Sequence, residues 1–297
     1  MRTLVVFLDV FAKQDYYKIK IHLHEEALMV VSDFHTHTNY DHAQHSPAQM
    51  AAEASRLGMT ALGLVGHSRT TVPCHYAMSV EGERQFFAEC AALKAQYEGQ
   101  MDVFCGIEMD YYTAPLDLPY DYRIGSVHYL PRGDGTFLSV DSEAKDLISY
   151  ANTHGGFLPL VQQYYETVAQ IVSATDCDII AHFDLITKFN EPHPLFSPEE
   201  PAFRRAALDA VDALLPYDRI FEINTGAISR GYRTTPYPAP FLLRHIAQHG
   251  GRILLSSDAH DTSALLFQFE QSAQLARNCG FSTVCMLTKD GFVEIPL

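Results

Sequence analysis

Positive charge is scarce in this chain. Its 297 residues carry 21 Lys and Arg against 36 Asp and Glu, a formal net charge of −15. A field of that sign repels polyanions, so extended nucleic acid, whose binding rests on neutralising several phosphates, is disfavoured as a partner. A small anionic ester stays within reach if bound cations supply local positive charge. Long apolar runs are missing too. The run LVVFL at 4–8 is cut by Asp9 and followed by Lys13 and Asp15, too short for a secretory leader and far too short to cross a bilayer. Cysteine is thin and scattered: Cys74, Cys90, Cys105, Cys177, Cys279 and Cys285 include no CxxC pair. That spacing argues against a thiolate metal site and reads as reduced thiols of a cytoplasmic protein. No linker divides the chain, which leaves nothing to favour two domains over one α/β barrel at this length. Nothing in the sequence bears on oligomeric state.

Histidine, by contrast, is plentiful, with fifteen residues. The stretch around which the chain is organised is VVSDFHTHTNYDHAQH, residues 30–45. An apolar run delivers Asp33, His35 and His37 on alternate positions, and in extended backbone such positions face one side. Two imidazoles can then meet one ion at a strand end. Residues 1–29 stand apart as an N-terminal extension. YYKIKIHLH alternates well enough for an edge strand or hairpin, with His22 and His24 as exposed strand residues.

From residue 30 to 297 a βα rhythm takes over. Ser46-Pro47 is an N-cap and first-turn pair opening a helix that Gly58 closes, and Ser79 caps a helix through Tyr97. Helical spacing recurs over 144–152, 158–173, 199–214, 240–249 and 264–278, and a last strand over 283–288 runs to a turn at Asp290-Gly291. Seven short apolar runs between the helices predict parallel strands joined by right-handed crossovers, and a closed barrel in preference to an open sheet. Each run ends in a polar group. His35 and His37 follow the first strand, His67 the second, Glu108 the third, His128 the fourth, His182 the fifth, and Asp258 and His260 the seventh. In a parallel barrel those ends converge at one mouth. A set of imidazoles and carboxylates suits zinc, manganese or iron rather than calcium. There are too many donors for one ion, which implies a cluster of two or three divalent ions with a carboxylate such as Glu108 bridging. Clustered ions of this kind serve phosphate-ester hydrolysis.

The ordered motifs DFHTHT, GHS, GIEMDY, GSVHYL, AHFDLITKF and SSDAHD resemble those of the polymerase and histidinol phosphatase (PHP) superfamily, over about residues 30–297. Within it, EINTGAISRGYRTTPYPAPFLL and the closing SSDAHD, GF and EIPL look most like the stand-alone histidinol-phosphate phosphatases. The resemblance implies a distorted (β/α)7 barrel and a trinuclear metal site. It would give His35, His37, Glu108 and Asp258 to the first ion, bridging Glu108 with His128 and His182 to the second, and His42, His67 and His260 to the third. His45 competes with His42 for that last place. The implied activity is hydrolysis of L-histidinol phosphate to L-histidinol and phosphate in histidine biosynthesis, with Glu108, Asp258 and His260 at the reacting centre. Lys188, Arg230 and Arg233 would grip the phosphate, and a Lys in place of Arg means a looser hold. Asp110, Tyr111 and Asp117 lie on a loop able to reach the mouth. The general acid stays open between an acidic residue and a bound water.

Two rivals share the chemistry or the barrel. One is a superfamily phosphoesterase for nucleotides, oligonucleotides or phosphotyrosine. The other is an amidohydrolase, which opens with the same HxH but needs a bridging Lys at the end of the fourth strand, where this chain has His128. A non-catalytic PHP scaffold is a third reading, and the full complement of expected ligands argues against it.

Overall fold

The computed structural model describes residues 31–297. The expected extension at 1–29, with His22 and His24, lies outside the described residues. Seven parallel strands pair in the order β1 (Ser32–Thr36), β2 (Ala61–Leu64), β3 (Asp102–Asp110), β4 (Tyr122–Ser126), β7 (Ile179–Ile180), β8 (Ile220–Asn224) and β9 (Arg252–Ser256). Just past the last pair the sheet comes round on itself. His37 N donates to Ala259 O (2.8 Å) and Ala259 N to His35 O (3.2 Å), joining the end of β1 to the chain beyond β9. The result is the expected seven-stranded barrel.

Helices cover its outside. α1 (Pro47–Arg56) starts at a capping box in which the Ser46 hydroxyl accepts from Gln49 N and the Gln49 side chain accepts from Ser46 N. α2 (Val80–Gln96) is capped by Ser79. α3 (Ala144–Thr153), α4 (Phe157–Val168), α5 (Ile171–Thr175), α6 (Pro201–Leu214), α7 (Gly226–Ser229), α8 (Pro240–Gln248) and α9 (Phe269–Cys279) follow. Two of the expected helices differ. The one over 158–173 breaks at Ala169-Gln170 into α4 and α5, where the Thr167 hydroxyl turns back to Gln163 O (2.8 Å) and competes with the backbone ladder. The one over 264–278 begins only at Phe269, because Leu266 and Gln268 adopt φ of 57° and 54°, which a right-handed helix does not contain.

The core has three parts. Met50, Leu62, Phe86 and Leu93 belong to a layer under α1 and α2, and Leu160, Val211, Ile246 and Ala276 to a larger one under the remaining helices. Inside the barrel, Phe34, Phe104, Tyr122, Ile124, Ile220 and Leu254 pack together. Tyr122 fills the centre: its hydroxyl donates to Phe34 O (2.7 Å), and its ring lies where side chains on Gly63 and Gly106 would otherwise project. The strand at 283–288 is β10 (Thr283–Thr288), which pairs antiparallel with β11 (Gly291–Pro296) outside the barrel sheet. Its Cys285 and Leu287 join the interior cluster. A further hairpin, β5 (Tyr129–Pro131) with β6 (Phe137–Ser139), springs directly from His128.

Candidate metal centre

Alternation along the strands decides what stands above the apolar interior. Phe104, Gly106 and Glu108 share one face of β3, and Ile220, Glu222 and Asn224 one face of β8, so the carboxylates rise two or four residues beyond interior hydrophobes. In β1 the register against β2 shifts between Asp33 and Thr36. The bulge re-aims the strand end and lets His35 and His37 both turn to the centre.

Glu108 is the hub. Its Oε2 lies 2.9 Å from His67 Nδ1, 3.3 Å from His37 Nε2 and 3.5 Å from His35 Nε2. Its Oε1 lies 3.2 Å from His182 Nε2 and 3.6 Å from His128 Nε2. Asp258 Oδ1 is 3.5 Å from His37 Nε2 and 3.8 Å from His35 Nε2. This aspartate holds a φ of 49°, unusual for a residue with a side chain. The rings of His42 and His260 come together at 4.5 Å, and that of His42 stacks on His67 at 5.2 Å. His45 Nδ1 instead accepts from Thr262 N, so the structure brings His42 and not His45 to the group. All nine sequence-derived ligand candidates therefore gather at the mouth on the C-terminal side of the strands, His42 from the loop beyond β1.

The arrangement fits divalent cations better than protons alone. His35 Nε2 and His37 Nε2 face each other at 3.1 Å, and Glu108 Oε2, fully buried, has no hydrogen-bond donor. Four triads, His37/His67/His260, His35/His37/Asp258, Asp41/His42/His67 and His67/Glu108/His128, each place their donor atoms within 4.8 Å of one another.

Two supporting carboxylates were not singled out from sequence. Glu222 Oε2 lies 2.9 Å from His35 Nδ1 and accepts from Ser256 Oγ (2.8 Å), while Oε1 accepts from His182 N (2.6 Å) and Asn224 Nδ2 (2.7 Å). Asp41 Oδ2 lies 2.7 Å from His37 Nδ1 and accepts from His67 N (3.1 Å). Each fixes the ring nitrogen opposite the one facing the centre, as carboxylates behind metal-bound histidines do. Asp110 does similar work from the β3 end, accepting from His128 N (2.8 Å).

Charge balance follows from this packing. Burial alone would raise Glu108, but His67 and His35 override it and hold the carboxyl well below the usual range. Burial would lower His37, yet Asp41 and then Glu108 push it up to about 9. His42 drops to about 4, through burial and the neighbouring His67 and His37.

The three basic candidates are placed differently. Arg230 Nη1 donates to Asp258 O (2.9 Å) and reaches His260 Nδ1 (3.1 Å), and Nη2 donates to Asp258 Oδ2 (3.0 Å). Lys188 Nζ donates to Asp141 O (2.7 Å) between the rings of Phe189 and Tyr232. Arg233 is buried, bonded to Thr187 and Thr235 and lying over Tyr237. It forms the wall of the site, while Arg230 borders the imidazole group directly. Asp117 is exposed on its loop, and Tyr111 leans on Tyr112.

The family model described as the PHP domain matches residues 33–226. This chain belongs to the PHP family. Its sequence is 30% identical over 270 residues to a Deinococcus radiodurans protein named "Probable histidinol-phosphatase", covering 85% of this chain and 95% of that protein. It is 24% identical to the histidinol-phosphatase of Bacillus subtilis, over 80% of this chain and 96% of the other. Among solved structures, the histidinol phosphate phosphatase of Lactococcus lactis, complexed with Zn, L-histidinol and phosphate, superposes with a TM-score of 0.67 at 18% identity. The match covers 88% of this chain and 98% of that one. The shared PHP fold accounts for the seven-stranded barrel and its single mouth. Among the described residues no helix is long and apolar enough to cross a membrane.

Proposed function

We propose that this PHP protein is a metal-dependent phosphomonoesterase that hydrolyses L-histidinol phosphate to L-histidinol and phosphate. The observation that carries the reading is Glu108, one buried carboxylate within 3.6 Å of ring nitrogens from five histidines. The likeness to proteins named histidinol-phosphatase, over 80–85% of this chain and 95–96% of theirs, supports the substrate. His35, His37, Glu108 and Asp258 would hold one ion, Glu108, His128 and His182 a second, and His42, His67 and His260 a third. Asp41 is placed to assist the third. Zinc, manganese and iron all suit these donors. Such ions, when bound, lower the pKa of coordinated water and offset the charge on phosphoryl oxygens.

The chain's own groups do the rest. Glu222 and Asp41 keep His35 and His37 oriented with Nε2 toward the centre. Arg230, with two N–H groups at Asp258 and His260, offers a planar fork to phosphate oxygens. Lys188 and Arg233 add positive charge on the neighbouring wall. Asp258 and His260, both in contact with Arg230, would stand beside the ester being cleaved.

Purified protein loaded with zinc, manganese or iron and assayed on a panel of phosphate esters tests the reading. L-Histidinol phosphate is expected to give the highest kcat/KM. A rate no better than that on an aryl phosphate, or a higher one on nucleotides or phosphotyrosine, overturns the substrate assignment.

A further inference from the structure

The substrate proposed above is a zwitterion of a particular kind, and this inference rests on that reading. Its phosphorus and its ammonium nitrogen are separated by only four bonds (P–O–C–C–N). The amine must therefore settle beside a centre dense in positive charge, and a carboxylate is needed there to receive it. Most carboxylates around the mouth are already committed. Glu108, Asp258, Glu222, Asp41 and Asp110 are engaged with the histidine cluster or its backbone. Asp184 Oδ2 accepts from Ala239 N and its Oδ1 has no partner, but the residue is 1% exposed and burial raises its carboxyl, so it is closed to a ligand arriving from the mouth. Glu191 accepts from Thr234 N and faces Arg233.

Asp141 is different. The β5–β6 hairpin leaves the barrel at His128 and returns with Val140 N donating to His128 O (2.9 Å), which brings the next residue, Asp141, back to the mouth. Its side chain is 28% exposed. Oδ1 accepts from Ser139 Oγ (3.0 Å). Lys188 is its nearest cation, but the short bond runs to the Asp141 carbonyl (2.7 Å), and the carboxylate Oδ2 stands at 3.5 Å. The ammonium of Lys188 is shared with the faces of Tyr232 (4.8 Å) and Phe189 (5.4 Å). Lys188 thus keeps Asp141 ionised without closing its lone pairs, and the aromatic faces beside it suit a second cation.

We propose that Asp141 is a specificity-determining residue that receives the protonated amine of the substrate. Lys188, assigned above to the phosphate side, also positions this carboxylate.

The test compares two esters on the zinc-loaded enzyme: L-histidinol phosphate and 3-(imidazol-4-yl)propyl phosphate, which differ only by the amine. In the Asp141→Asn variant, kcat/KM for histidinol phosphate should fall roughly 10- to 100-fold, mainly through KM, as expected for loss of a hydrogen bond to a charged group. The amine-free ester should change less than about twofold. The ratio of the two rates in one preparation is independent of the folded fraction. Asp141→Glu, which keeps the charge, should recover part of the discrimination. An equal fall on both esters shows a structural role through Lys188 and overturns the inference, as does no change on either. A wild-type enzyme that hydrolyses the two esters equally well also refutes an amine receptor, while leaving the phosphatase reading intact. A wild type inactive on both overturns that reading itself.

Discussion

Replacing Glu222 by Gln exchanges one heavy atom, an oxygen for an NH2 nitrogen, and should still disarm the centre. Glu222 Oε1 accepts from two fixed donors, His182 N and Asn224 Nδ2, so the amide oxygen of a glutamine is held on that side. Its NH2 group then faces His35 Nδ1, 2.9 Å from the present Oε2. A donor at this place turns His35 Nδ1 into an acceptor and moves the ring proton to Nε2, the nitrogen that faces Glu108 and Asp258. A protonated Nε2 cannot bind a cation. The bond lost is charge-assisted and buried, worth about 1.5–3 kcal/mol, which corresponds to the roughly 10- to 100-fold loss of metal affinity typical when a carboxylate behind a metal-bound histidine is removed. Competition against a chromophoric chelator measures it, with circular dichroism to check folding. A folded Glu222→Gln protein that binds zinc as tightly as the wild type would refute the reasoning, because the tautomer argument leaves no route to that result.

Two further outcomes follow from the same geometry. His37 is raised to about 9 in the metal-free protein, so below that pH it carries a proton that must leave before Nε2 can ligate. Zinc uptake should therefore release protons, and apparent affinity should weaken as pH falls below about 9, by up to about tenfold per unit for each proton released. Titration calorimetry in buffers of different ionisation enthalpy reads the proton count, and a heat independent of buffer contradicts it. Inside the barrel, Tyr122→Phe leaves Phe34 O without its donor and should cost about 1–3 kcal/mol, seen as a lower urea midpoint at unchanged slope. An unchanged midpoint would remove Tyr122 from the account of the interior.

The barrel was legible because its strands are short apolar runs, each followed by one polar residue, a pattern that survives without any tertiary information. Eight of the nine histidine and carboxylate candidates stand out because they follow those runs directly; His42, in the loop beyond β1, is reached only through the family resemblance. Glu222 escapes a strand-end reading because it lies inside the run IFEIN, where period-two alternation puts Ile220, Glu222 and Asn224 on a single face. Asp41, four residues beyond His37, was hidden in a loop that has no periodicity to read. The preference for His42 over His45 turns on loop conformation: the His42 ring lies against His67 and His260, while His45 Nδ1 accepts from Thr262 N. The late start of α9 depends on positive φ at Leu266 and Gln268, residue types that do not announce such a conformation.

The central claim is that imidazoles and carboxylates from separate strands share a small group of cations around Glu108. Anomalous diffraction at the zinc edge from zinc-loaded crystals tests it most directly. The expected result is two or three peaks within about 2.0–2.3 Å of donor atoms, at least one of them touching Glu108 together with histidines from two different strands. A single peak away from Glu108, or peaks confined to surface histidines such as His245 and His249, would contradict the account.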